Sequence, residues 1–274
     1  MLNQKIQADS KDPRQVLFER LINEAAKDAG ISPKTVNAHL AEIEDAGQFN
    51  KYDEKITMNV NHFEWADADT MYYVMRHEIG HMIFNETGGA RDYLEAVLME
   101  LPTEKTNLLY EKLYENIQAS PFYGSLKKVF AQYLIGKFDL TFGDPQHELI
   151  IRLVDESLAY WQGKKFAIKQ LELMKTDKER FQIYEARVKK NQFIETLFTR
   201  PDGKSISKAL NKKVSQKERM NLLNEQLLIQ NKTLKHLEEE IKRILEIIGS
   251  FSGQEMDNLK WVIMDIYTKN GFLK

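Results

Sequence analysis

Residues 67–89 read DADTMYYVMRHEIGHMIFNETGG and predict a helix over 69–85, which the glycine pair that follows brings to an end. The spacing i, i+3, i+4, i+7 is typical of the inward-facing stripe of a helix. It occurs here at Val74, His77, Glu78 and His81. Two histidines and a glutamate are costly to bury without partners. A metal ion would supply that partner, so this helix predicts a metal site.

The two histidines have the spacing of a pair of metal ligands. Because His77 and His81 are four residues apart, their Cβ atoms lie about 5–6 Å apart on one helical face, and both imidazoles can bind one zinc ion. Zinc lowers the pKa of a water molecule towards 7, and Glu78 lies where it can accept that proton. The pattern predicts one Zn²⁺ per chain with Glu78 as general base. The alternative is a partly exposed helix whose histidines bond to backbone or water.

A catalytic zinc also needs a third protein ligand and one open position. A helix is predicted from about 145 to 162, and it contains most of the segment HELIIRLVDESLAYWQG (147–163). In that segment Glu156 is a candidate ligand, 75 residues after His81. Other candidates remain open: Asp155, His147 and, in the segment DYLEAVLME, Glu95 and Glu100.

HEIGH, followed by a helix that carries E-x-x-A-Y, resembles the gluzincin class of zinc metallopeptidases over about residues 50–165. The resemblance implies that His77, His81 and Glu156 are the metal ligands and that Glu78 is the base. It also implies that the strand KITMNVN (55–61) is the edge strand that pairs with substrate backbone. Tyr160 departs from the pattern, because the class often has an acidic residue at that position to orient a ligand histidine; Asp155 is the candidate to replace it.

The reaction further needs a group that stabilises the tetrahedral oxyanion. Tyr160 is our first choice because it lies one turn from Glu156 on the same predicted helix. His147 and Arg152 share that helix and are the alternatives. Each residue also has an ordinary structural interpretation: Tyr160 as a core aromatic residue, His147 as a histidine near a helix start, and Arg152 as part of a surface ion pair.

Composition restricts the classes of function. The chain has 274 residues, a formal net charge of −2 and no cysteine, so disulfides are impossible and a metal site must use nitrogen and oxygen ligands. The charge balance gives no general attraction for nucleic acid or an anionic membrane. The first residues lack the apolar core of a classical signal peptide. The expected compartment is the cytoplasm, although secretion without a cleaved signal peptide is compatible with this sequence.

The predicted fold is α+β and predominantly helical. We expect a zincin-like metallopeptidase domain over 13–165 and a helical region over 166–274. A second helix is expected over 33–46, opened by Ser32 and a following proline. A heptad pattern over 220–248 predicts either an intramolecular helical hairpin, for example against 167–198, or a coiled coil with a helical partner or a second copy.

The predicted function is a zinc metalloendopeptidase acting on one or few protein substrates, which the helical region would select. One alternative is a non-catalytic zincin-fold protein that binds a partner through its helical tail. Another is a DNA-binding regulator with a metallopeptidase-like domain, because AAKDAGISPKTVNAHLAEIE (25–44) resembles a helix-turn-helix. Few basic residues lie in that segment, so we do not expect nucleic acid as a partner.

Overall fold

The computed structural model describes residues 13–86, 88–124, 126–128, 145–199, 203–204 and 215–273. It confirms a predominantly helical α+β fold. The helices are α1 (Pro13–Asp28), α2 (Val60–Trp65), α3 (Ala68–Phe84), α4 (Ala90–Met99), α5 (Thr103–Ala119), α6 (Pro145–Leu173), α7 (Lys178–Thr199), α8 (Gln216–Gly249) and α9 (Gln254–Lys269). The strands are β1 (Asn37–Ala41), β2 (Gly47–Asn50) and β3 (Lys55–Asn59).

The prediction of a helix over 33–46 is wrong. Ser32 does cap a helical turn, but the turn is a 3-10 turn of three residues, Pro33–Thr35, and β1 follows it. Val36, Ala38 and Leu40 alternate along the chain and pack against the core, while the β1 backbone pairs with β3 in parallel. This pairing outweighs the helical propensity of the segment. The helix-turn-helix interpretation loses its recognition helix, because KTVNAHL lies in the turn and in β1.

The resemblance implied that the strand KITMNVN lies at an edge of the sheet, and this expectation is also wrong. Its order is β1-β3-β2, so β3, the strand of the segment KITMNVN, lies in the centre. The strand β2 pairs antiparallel with β3 and forms an edge of the sheet. A Cβ at Gly47 of β2 would lie 2.7 Å from Val74 Cγ1 and 2.9 Å from Glu78 Oε1. The edge strand therefore packs directly against α3, at the residue predicted to be the base.

Two glycines allow α3 and α6 to approach closely. A Cβ at Gly80 would lie 3.0 Å from the Cα of Ala159, and one at Gly163 would lie 2.8 Å from Tyr73 Cδ2. Small residues at both crossing points bring the two backbones together. As a consequence, the histidines of α3 and the carboxylates of α6 face one another.

Replacing Gly163 with alanine is expected to destabilise the fold. The added methyl group would also lie 2.9 Å from the carbonyl oxygen of Tyr73, so α3 and α6 would have to move apart. Overpacking costs about 1–3 kcal/mol, whereas alanine gains only about 1 kcal/mol over glycine in a helix. Denaturant unfolding measures the net loss. Gly124→Ala is the control, because a Cβ there meets nothing within 4 Å. Equal stability of Gly163→Ala and the wild type would contradict the close contact.

The heptad segment of α8 packs within the chain. Its buried residues belong to two hydrophobic clusters. Leu223 and Leu227 join the cluster that includes buried residues of 166–184, and Leu237 joins the cluster that includes those of α9. Each of these two hydrophobic clusters contains residues from before and after position 165. The division of the chain at 165 stays a prediction. In the described part of the chain, no helix is both long and apolar enough to cross a membrane.

Candidate metal centre

The helix α3 directs both histidines of HEIGH towards the same point. The Nε2 atoms of His77 and His81 lie 3.0 Å apart, with the two rings almost perpendicular. Their side chains are 12% and 14% exposed, so the rings are mostly buried but border open space. The prediction that both rings can reach one ion agrees with this geometry.

The helix α6 brings Glu156 to the same point. Its Oε2 atom lies 3.7 Å from His77 Nε2 and 3.9 Å from His81 Nε2, and donor atoms of the three residues lie within 4.8 Å of one another. In a tetrahedral zinc site with bonds of 2.0–2.1 Å, two ligand atoms are about 3.3 Å apart. The observed separations are close to this value. Two imidazoles and one carboxylate also form a donor set that leaves a fourth position open, so these residues fit a catalytic zinc.

The rival ligands from the sequence do not join this cluster in the part of the chain that the structure describes. Glu95 is half-buried on α4, and Glu100 is exposed just after α4. His147 is half-buried near the start of α6. Among these candidates, only Asp155 contacts a histidine of the pair, and it does so on the far side of the ring.

Contacts to the other ring nitrogens orient both histidines. His81 Nδ1 lies 2.8 Å from Asp155 Oδ1, and the amide of Asn85 donates to the other oxygen of Asp155 at 3.1 Å. His77 Nδ1 lies 3.4 Å from the hydroxyl of Tyr73. With both Nδ1 atoms engaged, both Nε2 atoms face Glu156. Carboxylate–histidine pairs of this kind orient ligands at metal sites, and Asp155 makes the contact with a histidine ring that was expected of an acid at the position of Tyr160.

The electrostatics of the site favour a positive charge between these groups. Burial and the charge of His81 hold the pKa of His77 well below its usual value. Burial also opposes a charge on His81, but Asp155, with Glu156 and Glu78, raises the pKa of His81 to about 10. The same negative potential would stabilise a divalent cation placed among these side chains.

Glu78 is on α3 beside the histidines, and its side chain lies between α3 and β2. Its side chain is buried, and burial, together with the negative charge of Glu156, raises its pKa to about 7 although His81 opposes this shift. The backbone N–H of Phe49 donates to its carboxylate. A side chain at Gly47 would collide with Glu78, which explains the glycine there. A carboxylate with this pKa can both accept and return a proton near neutral pH.

An open cleft of about 700 Å³ lies above the site. Residues 45–52, from β2 and its flanking turns, form part of its lining. Tyr160, Arg152 and Glu148 line it from α6. The Tyr160 ring packs edge-on against His77 at 4.9 Å between centroids, and its hydroxyl bonds to that of Tyr73. Among the predicted stabilising groups, Tyr160 and Arg152 line the cleft, while His147 is not part of its lining.

Replacing Asp155 with asparagine is expected to weaken zinc binding about 10- to 100-fold, the usual effect of losing a carboxylate behind a ligand histidine. The asparagine keeps the shape of the side chain but removes the charge that His81 Nδ1 contacts. Competition with a chromophoric chelator measures the affinity. Asp45→Asn is a matched control, because Asp45 also lines the cleft and the substitution removes the same charge. Equal zinc affinity of Asp155→Asn and Asp45→Asn would rule out the orienting role.

Sequence reasoning missed several residues around the site. Tyr73 is four residues before His77 on α3, so the i, i+4 spacing could have revealed it. The same spacing applies to Asn85, four residues after His81. Arg91 and Glu148 reach the cleft only through the packing of α4 and α6, and no local sequence signal connects these two.

Comparison with known proteins adds nothing to the chemistry of the site: no protein family, curated protein or solved structure matches the chain. The function therefore has to be inferred from the side chains of the site.

Proposed function

We propose that this chain is a zinc-dependent metallopeptidase with a gluzincin-like ligand set. The observation that carries the proposal is the convergence of His77, His81 and Glu156 at the floor of an open cleft, with Glu78 beside them. A structural metal site would be closed by a fourth protein ligand. Among the described residues only three such donors converge, and all three line the cleft, so substrate could reach a metal ion held by them.

His77, His81 and Glu156 would hold the metal. Bound zinc would polarise a substrate carbonyl and lower the pKa of a water molecule. Glu78 would accept the proton of the attacking water and return it to the leaving nitrogen. Asp155 and Tyr73 keep the two imidazoles in place.

The substrate is a peptide in an extended conformation. The cleft side formed by residues 45–52 includes the edge strand β2, and an edge strand can pair with an added extended segment. The cleft volume of about 700 Å³ accommodates a few residues. The helical region over 166–274 remains our predicted source of selectivity for one or few protein targets. Efficient cleavage of casein-like substrates would count heavily against that selectivity.

The proposal is tested by looking for new peptide termini. Cell-lysate proteins are incubated with the zinc-loaded chain, with and without a chelator, and new termini are identified by mass spectrometry. We expect a small set of cleavages that chelation removes and that added zinc restores. Zinc bound without any cleavage would instead favour the non-catalytic binding protein.

Replacing Tyr160 with phenylalanine is expected to lower kcat by about 10²- to 10³-fold, the usual cost of removing one donor to an oxyanion. The ring packing against His77 is kept, so zinc content should not change. Steady-state kinetics on a cleaved peptide measures the effect. Tyr93→Phe, at an exposed tyrosine of α4, is the control. An unchanged kcat would show that Tyr160 packs in the site without taking part in the reaction.

A further inference from the structure

Two arginines share one glutamate on the α6 side of the cleft. Arg91 from α4 contacts Glu148 Oε2 at 2.5 Å, and the Nε of Arg152 donates to Glu148 Oε1 at 2.9 Å. All three residues line the cleft. Within this group of three residues, two positive charges meet one negative charge.

The two ion pairs have different structural roles. Arg91–Glu148 joins α4 to α6, and both side chains are mostly buried, at 15% and 12% exposure. Arg152 and Glu148 are on the same helix, so their pairing links no separate elements. The Arg152 side chain is 41% exposed and lines the cleft. Glu148 fixes the direction of this guanidinium, and Arg91 offsets the negative charge of Glu148.

Arg152 lies within reach of a peptide bound at the metal centre. Glu148, Arg152 and Glu156 follow i, i+4, i+8 on one face of α6. Four residues of helix advance about 6 Å, and an extended peptide advances about 3.3 Å per residue. A substrate side chain one to three residues from the cleaved bond would therefore meet Arg152.

The guanidinium of Arg152 borders the cleft, where a substrate can reach it. Guanidinium groups bind carboxylates in a bidentate, charge-assisted geometry. We propose that Arg152, held by Glu148 and Arg91, is a carboxylate-binding subsite, so that preferred substrates carry a carboxylate within about three residues of the cleaved bond. This inference rests on the proposed metallopeptidase function.

A random library of unstructured peptides tests the subsite, with the zinc-loaded full chain as enzyme. We expect aspartate or glutamate to be enriched within three residues of the cleaved bonds. The best peptide is then compared with its glutamine or asparagine counterpart, and with forms ending in a free carboxylate or an amide. The first pair reports a side-chain carboxylate, and the second pair reports a terminal carboxylate.

Charge reversal at Arg152 is the decisive variant. Arg152→Glu is expected to lower the ratio of kcat/KM for the acidic peptide over its neutral counterpart by about 10- to 100-fold, as for loss of a charged hydrogen bond. Arg152→Lys keeps the charge and should retain part of the preference. Arg243→Glu, at a 58%-exposed arginine of α8, is the matched control and should keep the full preference.

The outcomes separate the two proposals. Cleavage without a carboxylate preference, or a preference that Arg152→Glu leaves unchanged, would overturn the subsite and leave the metallopeptidase intact. If no library peptide is cleaved, the zinc-loaded Glu78→Gln variant is used to capture peptides, and their sequences are tested for the same enrichment. Neither cleavage nor capture would overturn the subsite, and the lysate experiment would then decide the metallopeptidase function on its own.

Discussion

Glu78→Gln is expected to lower kcat by about 10²- to 10⁴-fold, the range that general acid–base catalysis contributes. Glutamine keeps the size of the side chain and can still accept the backbone hydrogen bond from Phe49. It cannot accept a proton from water. Steady-state kinetics on a peptide cleaved by the wild type measures the loss.

Zinc content separates this effect from damage to the metal site. We expect Glu78→Gln to bind as much zinc as the wild type, since Glu78 is not among the three converging donors. Glu86→Gln, two residues beyond the end of α3, makes the same chemical change outside the cleft lining and should keep full activity. Full activity of Glu78→Gln would remove the general base from the mechanism.

Glu156→Ala is expected to reduce zinc affinity by more than about 100-fold, beyond the range for residues that only orient a ligand. The variant removes one of the three converging donors and leaves two imidazoles, which is too few for a catalytic zinc site. Zinc titration against a competing chelator measures the affinity.

Glu95→Ala and Glu100→Ala are the matched controls, because the sequence alone also offers both as third ligands. Both glutamates lie outside the cluster of donor atoms, so their variants should bind zinc as the wild type does. Zinc retained by Glu156→Ala but lost by either control would show that the third ligand had been assigned to the wrong helix.

The elements that the sequence predicted well depend on local signals. The helix expected over 69–85 is Ala68–Phe84, and the helix expected from about 145 begins at Pro145. Apolar spacing and end signals within each segment were sufficient for both. The length of the second helix was underestimated, since it continues to Leu173 through Gly163, where the close contact with Tyr73 requires a glycine.

The errors concern the sheet, whose pairing is not local. β2 has only four residues, GQFN, and no alternation long enough to predict a strand. β1 was expected to be part of a helix, although Val36, Ala38 and Leu40 have the period of two of a strand. Without these two strands, β3 could not be recognised as the central one.

The distinction between local and non-local signals also applies to the site. His77, Glu78 and His81 were predictable because their chemistry requires one spacing on one helix. Glu156 could only be ranked among rivals, since its approach to the histidines depends on the crossing of α3 and α6. The contact between Arg91 and Glu148 spans 57 positions in the sequence, and only the fold brings these side chains together.

Elemental analysis of the purified chain shows whether His77, His81 and Glu156 hold one zinc ion. We predict about one zinc per wild-type chain and none in His77→Ala, because loss of a ligand imidazole leaves too few donors. A wild-type chain that binds no metal, even after zinc is supplied, would rule out this metal centre and leave a helical protein with a chance HEIGH motif.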